Sequence, residues 1–413
     1  MHNDTLAIDF GTSNSAAAVP TPNGVYQIPI EQGAGTLPTA VFFPTDEGGM
    51  QIGMVASRAL IAGQDGRYMR ALKSVLGLPL LHEKRLIGGR RRTISSIITD
   101  FLGELRTRSE AVTGCRFQRA LSGRPVHFHS DDPQKDAQAE KDLRACYLAA
   151  GFDEVSFLAE PEAAAIASHA MAGAGELGLI VDIGGGTSDF SVFRSTSSGP
   201  DILANHGIRM GGTDFDHVIS VAHAMPALGL GGQLRRHMGT GLLPVPRGPY
   251  IDLATWAKIP FLYNGETRRM VDDMVGLAVD RHEMERLVTV LDMELGHELA
   301  FAVERGKIAA NADEPAANIA MGFIESGLSQ PVTAKNLESI LMGNRVQLRA
   351  AITETLRLAR VERAAITRVI LVGGSSLMRF VSDEVRALCP DAKILYSDAF
   401  TAVVDGLAIA TRR

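Results

Sequence analysis

The sequence predicts an α/β protein built from two duplicated halves, and two observations carry that expectation. One is a pattern that occurs twice: an apolar strand runs into an Asp, then into glycine and hydroxyl residues, then out into another apolar strand. It reads Leu6-Ala7-Ile8-Asp9-Phe10-Gly11-Thr12-Ser13-Asn14 near the start and Leu179-Ile180-Val181-Asp182-Ile183-Gly184-Gly185-Gly186-Thr187-Ser188-Asp189 in the middle. Asp9 and Asp182 take matching places. A single Asp-Gly hairpin is ordinary turn chemistry, whereas two copies point to an internal duplication with a nucleotide clamped between the halves. The other observation is length: 413 residues exceed what one hydrophobic core usually supports, so two domains are expected.

The turns themselves suggest the ligand. Gly184, Gly185 and Gly186 lack Cβ atoms, so a polyphosphate can approach the backbone N–H groups, and Thr187 and Ser188 add hydroxyl donors. Asp182 and Asp189 would repel phosphate on their own. A divalent cation between them is therefore expected, Mg²⁺ held largely through its waters.

The formal net charge of -6 argues against a general nucleic-acid or membrane-surface binder, and Arg90-Arg91-Arg92 and Arg412-Arg413 read as solvated loop charge. The amino terminus lacks a basic n-region and an h-region, and no apolar run approaches membrane-spanning length, so a cytoplasmic location is expected, with neither nucleic acid nor membrane as partner. Cys115, Cys146 and Cys389 lack CxxC spacing and read as buried or idle thiols.

In chain order, short strands and turns are expected up to Gly53, then a helical stretch at 55–72 leading to Lys73. Residues 93–112 repeat with helical period, placing Ile97, Ile98, Phe101, Leu102 and Leu105 on one face. Residues 120–126 read as strand and turn, 137–150 as an alanine-rich helix stopped by Gly151, and 155–158 as a strand delivering Glu160 to Pro161 at the next helix's first turn. That helix, 161–171, carries Ala163, Ala164, Ala165 and Ala167, small enough to cross closely with the equally small-residue helix 401–410. Gly173-Ala174-Gly175 marks the start of the second half. Within it, 228–249 is rich in Gly and Pro and reads as a surface excursion, and 280–311 as one long helix. His127 and His129 are expected on a half-exposed strand without a metal, and His217 and His223 on a helix surface. Asp405 reads equally as functional or as solvated.

Five motifs, in order, carry a family resemblance: the first hairpin, Ala159-Glu160-Pro161-Glu162-Ala163-Ala164-Ala165-Ile166-Ala167, the Asp182 hairpin, Gly211-Gly212-Thr213-Asp214-Phe215-Asp216, and Ile370-Leu371-Val372-Gly373-Gly374-Ser375-Ser376. Over nearly its whole length the chain resembles the heat shock protein 70 nucleotide-binding domain, and Gly123-Arg124-Pro125-Val126-His127-Phe128 resembles the family's short YegD-like branch. The resemblance implies the actin-like ATPase fold, two duplicated ribonuclease-H-like α/β domains around a nucleotide cleft, each with an inserted subdomain. Residues 1–172 plus 399–413 would form the first lobe and 173–398 the second, its inserted subdomain at about 214–300.

Residue by residue, the resemblance implies that Gly11, Thr12, Ser13 and Asn14 contact phosphates, as do Gly185, Gly186 and Thr187. Asp9 and Asp182 would hold hydrated Mg²⁺. Glu160 and Asp189 would position the metal waters and the attacking water, and Lys73 would meet the γ-phosphate. The implied catalytic set is thus Lys73, Glu160, Asp182, Thr187 and Asp189. Lys84 is the alternative lysine, set aside because it lies further from the first hairpin than the family's spacing. Gly211 and Gly212 match ribose and phosphate-side contacts, Glu304 and Lys307 ribose contacts, and Gly373, Gly374 and Ser375 the adenosine turn. Where the family stacks adenine between two arginines, this chain offers Ile308 and Leu377. That loses a cation–π contribution of roughly 0.5–2 kcal/mol and predicts weaker nucleotide binding.

The implied function is Mg²⁺-dependent binding of ATP or ADP and hydrolysis of ATP to ADP and phosphate. A chaperone-like or co-chaperone role would follow from conformational switching, exerted on a protein partner or client of unknown identity. The sequence ends directly after the helix 401–410, so no peptide-binding domain is expected, and the 228–249 excursion is the candidate partner surface. A nucleotide-binding regulatory or scaffold protein with negligible turnover is one alternative. A small-molecule kinase on the same fold is another. The complete acidic set favours hydrolysis; the absent arginines favour the scaffold.

Overall fold

The computed structural model describes residues 4–31, 34–45, 48–168, 175–397 and 401–412. Its backbone divides into two compact units, one made of 1–212 and 345–413, the other of 213–344.

Two large sheets dominate the first unit, beside a three-stranded and a two-stranded one. In the first, β1 (Thr5–Phe10), β2 (Asn14–Thr21) and β3 (Gly24–Gln27) run antiparallel, while β4 (Arg119–Arg124) and β5 (Glu154–Ala159) add in parallel beyond β1. The second sheet repeats that plan. β6 (Leu177–Ile183), β7 (Ser188–Thr196) and β8 (Gly199–Ile208) run antiparallel, and β9 (Arg368–Val372) and β10 (Lys393–Tyr396) add in parallel beyond β6. The orders β5-β4-β1-β2-β3 and β10-β9-β6-β7-β8 are the same path drawn twice, so the duplicated hairpin in the sequence is the first pair of strands of a duplicated sheet. β6 and β9 are almost continuously apolar because both their faces are covered.

The helices follow their local signals. α1 (Ile94–Thr113) starts where the Thr93 hydroxyl accepts the Ser96 N–H and stops at Gly114, whose φ of 67° closes the C-terminus. Its Ile97, Ile98, Phe101, Leu102 and Leu105 are fully buried, as the period requires. α2 (Pro133–Ala149) begins four residues earlier than the alanine pattern indicates, because the Asp132 carboxylate caps the N–H groups of Gln134 and Lys135 ahead of Pro133. α3 (Glu160–Ser168) and α4 (Ala402–Ala410) cross as their small residues predict. Gly406 lies so close to α3 that a Cβ there would overlap the Ala163 carbonyl. Around this crossing Ala7, Ala18, Ile180, Phe193, Ile370 and Leu407 form one cluster shared by both sheets. On α4, both Asp405 carboxylate oxygens accept from Gln27 Nε2, at 2.9 and 3.0 Å.

Four expectations change. The stretch 55–72 is a helix only over Met54–Ile61; Gly63 turns at φ 65°, and Gly66–Arg70 becomes a strand paired with Ala40–Pro44. The pattern 280–311 is two helices, Arg281–Asp292 and Gly296–Asn311, parted where Glu294 adopts φ 54°. The 228–249 excursion holds a two-stranded hairpin, Gln233–Arg235 with Leu242–Pro244. His127 and His129 lie in a loop and not on a strand, and His129 is buried. Gly173 and Ala174, read as the joint between halves, lie outside the described residues.

The second unit has its own core around Tyr250, Trp256, Val271, Leu287 and Val303. Among the described residues no helix is long and apolar enough to cross a membrane.

Candidate functional site

The two Asp-Gly hairpins put their turns against each other. A Cβ on Gly185 would come within 2.5 Å of Ser13 Oγ, and one on Gly186 within 3.2 Å of Thr12 Oγ1. Gly211 packs equally tightly, 2.5 Å from Gly186 N by the same measure, and Gly212 lies against the Ser375 hydroxyl. At Gly11 a side chain would overlap the Asn14 carbonyl. Gly373, with φ 80°, opens the turn containing Gly374 and Ser375, and a Cβ there would meet Asp182 Oδ1 at 2.8 Å. Gly11, Gly185, Gly186, Gly211, Gly212, Gly373 and Gly374 thus leave the backbone without side chains, and Thr12, Ser13, Asn14, Thr187 and Ser375 add short polar ones, where these residues were predicted to meet a nucleotide.

Behind these turns lie the charges. Asp182 and Asp189 are directly opposed cross-strand neighbours on β6 and β7, an arrangement that ordinarily destabilises like charges. Glu160, where β5 becomes α3, accepts a hydrogen bond from Lys73 Nζ at 2.6 Å, and both side chains are nearly buried. Lys73 enters on a short 3₁₀ turn, Leu72–Val75, launched by Ala71 at φ 60°. One ammonium therefore faces four carboxylates.

The titration behaviour follows from that imbalance. Burial, reinforced by Glu160 and opposed by Lys73, pushes Asp9 up to about 7. Burial and then Glu160 raise Asp189 to about 8 against the Val126 N–H, the Thr187 hydroxyl and Lys73. Asp182 is raised well above the ordinary carboxyl range by burial, then by Glu160, Asp189 and Asp9. Burial lowers Lys73, yet Glu160, Asp9 and Asp189 together hold it above its usual value. Three carboxyls forced towards neutrality beside one lysine form a set short of positive charge, and the residues present fit Mg²⁺. Among the described residues no group of three or more His, Cys, Asp or Glu is arranged to grip a metal directly; a cation here would be held through its own waters.

Asp9, Lys73, Glu160, Asp182, Thr187 and Asp189 are thus brought together. Lys84 is exposed, at the entry to the strand Arg85–Ile87. Glu304 and Lys307 lie on the helix Gly296–Asn311 of the second unit. There Lys307 Nζ stands 2.7 Å from Asp216 Oδ1 in a buried ion pair, and Trp256 Nε1 donates to the other Asp216 oxygen at 3.1 Å. The ammonium expected at a ribose is engaged within its own unit. Ile308 and Leu377 are both exposed.

Three features escaped the sequence. The Val126 N–H donates to Asp189 Oδ1 at 2.6 Å. Arg209 donates to His129 Nδ1 at 2.7 Å and to the Ser74 carbonyl at 2.9 Å. Ala71 takes a left-handed conformation that favours glycine. The position of Val126, just past the end of a parallel strand where ligands gather, was the one available signal; the other two have none.

Comparison with known proteins adds the family. A model of the Hsp70 protein family matches residues 5–227. The chain is similar to the chaperone protein HscA homolog of Burkholderia thailandensis, 26% identical across 98% of this chain and 57% of that protein. It is 25% identical to the chaperone protein DnaK of Endomicrobium trichonymphae, across 97% of this chain and 57% of that one. Against the HscA homolog of Pseudomonas aeruginosa (strain LESB58), identity is 32% across 52% of this chain and 36% of that protein. The chain spans about half the length of the full-coverage relatives it matches. The sheet drawn twice fits the actin-like ATPase fold, and with a family model covering more than half its length, the chain belongs to the Hsp70 family.

Proposed function

We propose that this chain binds ATP with Mg²⁺ in the cradle of the two glycine hairpins and hydrolyses it to ADP and phosphate, switching conformation as it does so. One observation carries the reading: four buried or partly buried carboxylates around a single lysine, directly behind glycine turns edged with hydroxyls. Burial of unbalanced like charge lowers stability, and it persists where function needs it. The relatives named as chaperones support a chaperone-like role through a protein partner or client.

Each residue then has a task. Backbone N–H groups of both turns, with the Thr12, Ser13 and Thr187 hydroxyls, bind and orient the phosphates. Lys73, fixed by Glu160, sets its charge at the terminal phosphoryl group, where charge shifts as the bond to ADP breaks. Asp189, held by Val126 N–H and Thr187, orients the attacking water and takes its proton. Mg²⁺, held through its waters by Asp9 and Asp182, would supply neutralisation of the phosphate oxygens.

The test is single-turnover ATP cleavage with and without Mg²⁺, beside calorimetric ATP titration of wild type and Asp182→Lys. Cleavage that needs Mg²⁺, and an affinity whose Mg²⁺ dependence disappears in Asp182→Lys, are expected. Tight binding with no cleavage under any condition would favour the scaffold reading, for which the exposed Ile308 and Leu377 speak.

A further inference from the structure

Resting on the hydrolytic reading above, we propose that Arg209 and His129 form a gate through which inorganic phosphate leaves the site. A small cavity of about 20 Å³ is lined by the site residues Lys73, Thr12 and Thr187 and by Ser74, the buried His129 and the exposed Arg209. The groups on the site side are two hydroxyls and one ammonium, the latter paired with Glu160, all donors from which a phosphate oxygen can accept. The space itself admits about one water, so a phosphate passes only when a wall moves.

The outer wall is the one that can move. Arg209 is exposed, just after β8, and its contacts across the passage include hydrogen bonds to His129 Nδ1 at 2.7 Å and to the Ser74 carbonyl at 2.9 Å. His129 is buried and anchored on the far side by donating from Nε2 to the Leu76 carbonyl at 2.7 Å. That bond leaves Nδ1 unprotonated and therefore able to accept from the guanidinium. Three segments meet here, and each also carries part of the site: 72–76 carries Lys73, 125–130 carries the Val126 N–H, and 209–212 carries Gly211 and Gly212. A guanidinium is a planar fork that matches phosphate in two-point geometry. A phosphate arriving from Lys73 offers Arg209 a partner stronger than a neutral imidazole and a carbonyl. By exchanging them for the anion, Arg209 opens the wall.

The experiment compares two clocks in one turnover of Mg²⁺-ATP: cleavage by chemical quench, and phosphate appearing in solution by a fluorescent phosphate-binding sensor. In wild type, release trails cleavage. In Arg209→Ala, cleavage stays within about twofold, while release accelerates roughly tenfold and catches up with it. His129→Ala acts in the same direction, and Arg209→Lys, whose single ammonium cannot bridge both partners, falls between. Wild-type release that keeps pace with cleavage overturns the gate. So does an Arg209→Ala enzyme that cleaves slowly with release still trailing, which would make Arg209 a support for the Lys73 turn, and so does one in which neither clock changes. If the wild type cleaves no ATP, the hydrolytic reading falls by itself. The gate is then decided by washout of inorganic phosphate from the ADP- and Mg²⁺-loaded protein, where an unchanged rate in Arg209→Ala, or no phosphate binding at all, overturns it.

Discussion

Lys73 is aimed by a strained neighbour. Ala71 holds φ 60° and ψ 33°, a conformation costing an L-residue about 1–2 kcal/mol, and the turn it starts delivers the ammonium to Glu160. The two side chains depend on each other. Lys73→Ala should lower the cleavage rate on the order of 10²-fold or more with a much smaller change in ATP affinity, since a charge at the terminal phosphate counts most in the transition state. It also leaves Glu160 buried without its cation, at about 3–5 kcal/mol of stability; Lys73→Met with Glu160→Gln removes both charges together and recovers part of that loss without recovering the rate. Lys84→Ala is the control, and loss of turnover there with Lys73→Ala active would move the assignment. His129 supplies a second test at this scale. Burial lowers its pKa, Arg209 and Lys135 add in the same direction, and the Leu76 carbonyl and Asp136 oppose. The fold therefore prefers the neutral ring. Above pH 6.5 the unfolded ring is neutral too and no stability is lost; below it the unfolded chain gains a proton that the folded state resists, so stability declines as pH falls. Between pH 7.5 and 5.5 the raised carboxyls of Asp9, Asp182 and Asp189 work in the opposite sense, gaining stability as pH falls, so on going from pH 7.5 to 5.5 the urea midpoint of His129→Gln should fall less, or rise more, than that of wild type. Part of the slope remains, because burial lowers His206 and His223 as well.

At the scale of elements, glycine marks where backbones must touch. Gly406→Ala places a methyl into the Ala163 carbonyl at the crossing of α3 and α4, and should cost about 1–3 kcal/mol by overpacking, read as a lowered thermal midpoint. Unchanged stability would mean that the crossing relaxes freely and does not join the two sheets. This crossing was legible in the sequence, since the alanine run at 163–165 and the small, apolar stretch at 402–410 have few other uses in helices. The hairpins were legible for a similar reason: strand, Asp, glycine and hydroxyl follow in local order. Breaks marked by no more than a lone glycine were not. In residues 280–311 the one local sign of the break is Gly296, and it lies two residues past Glu294, whose left-handed turn splits one helix into two. The 55–72 stretch was misread because a strand's partner, here Ala40–Pro44, is invisible to local periodicity. The same limit hid Arg209, whose contacts with His129 and Ser74 join segments 80 and 135 residues apart. Five acidic and basic site residues came from motifs; the groups that hold them in place came from long-range contacts that no motif records.

For the molecule as a whole, the chain's single tryptophan offers a way to follow one unit at a time. Trp256 lies in the 213–344 unit, 2% exposed, with its indole N–H on Asp216, which also pairs with Lys307. Its emission therefore reports the burial of that unit's core, whereas far-UV circular dichroism reports helices of both units. Coincidence of the two signals is a test of two-state unfolding. Because 213–344 is one continuous segment with its own buried core, its transition should separate from that of the rest of the chain. Asp216→Ala, which strips a buried lysine of its partner, should lower the tryptophan midpoint by an amount corresponding to about 3–5 kcal/mol and leave the remaining dichroism transition in place. Gly406→Ala should do the reverse, shifting the dichroism transition while the tryptophan midpoint holds. If every variant moves both signals together, the two units unfold as one cooperative body. The boundary at 212 and 345 would then be a feature of contact density, with no independent stability behind it.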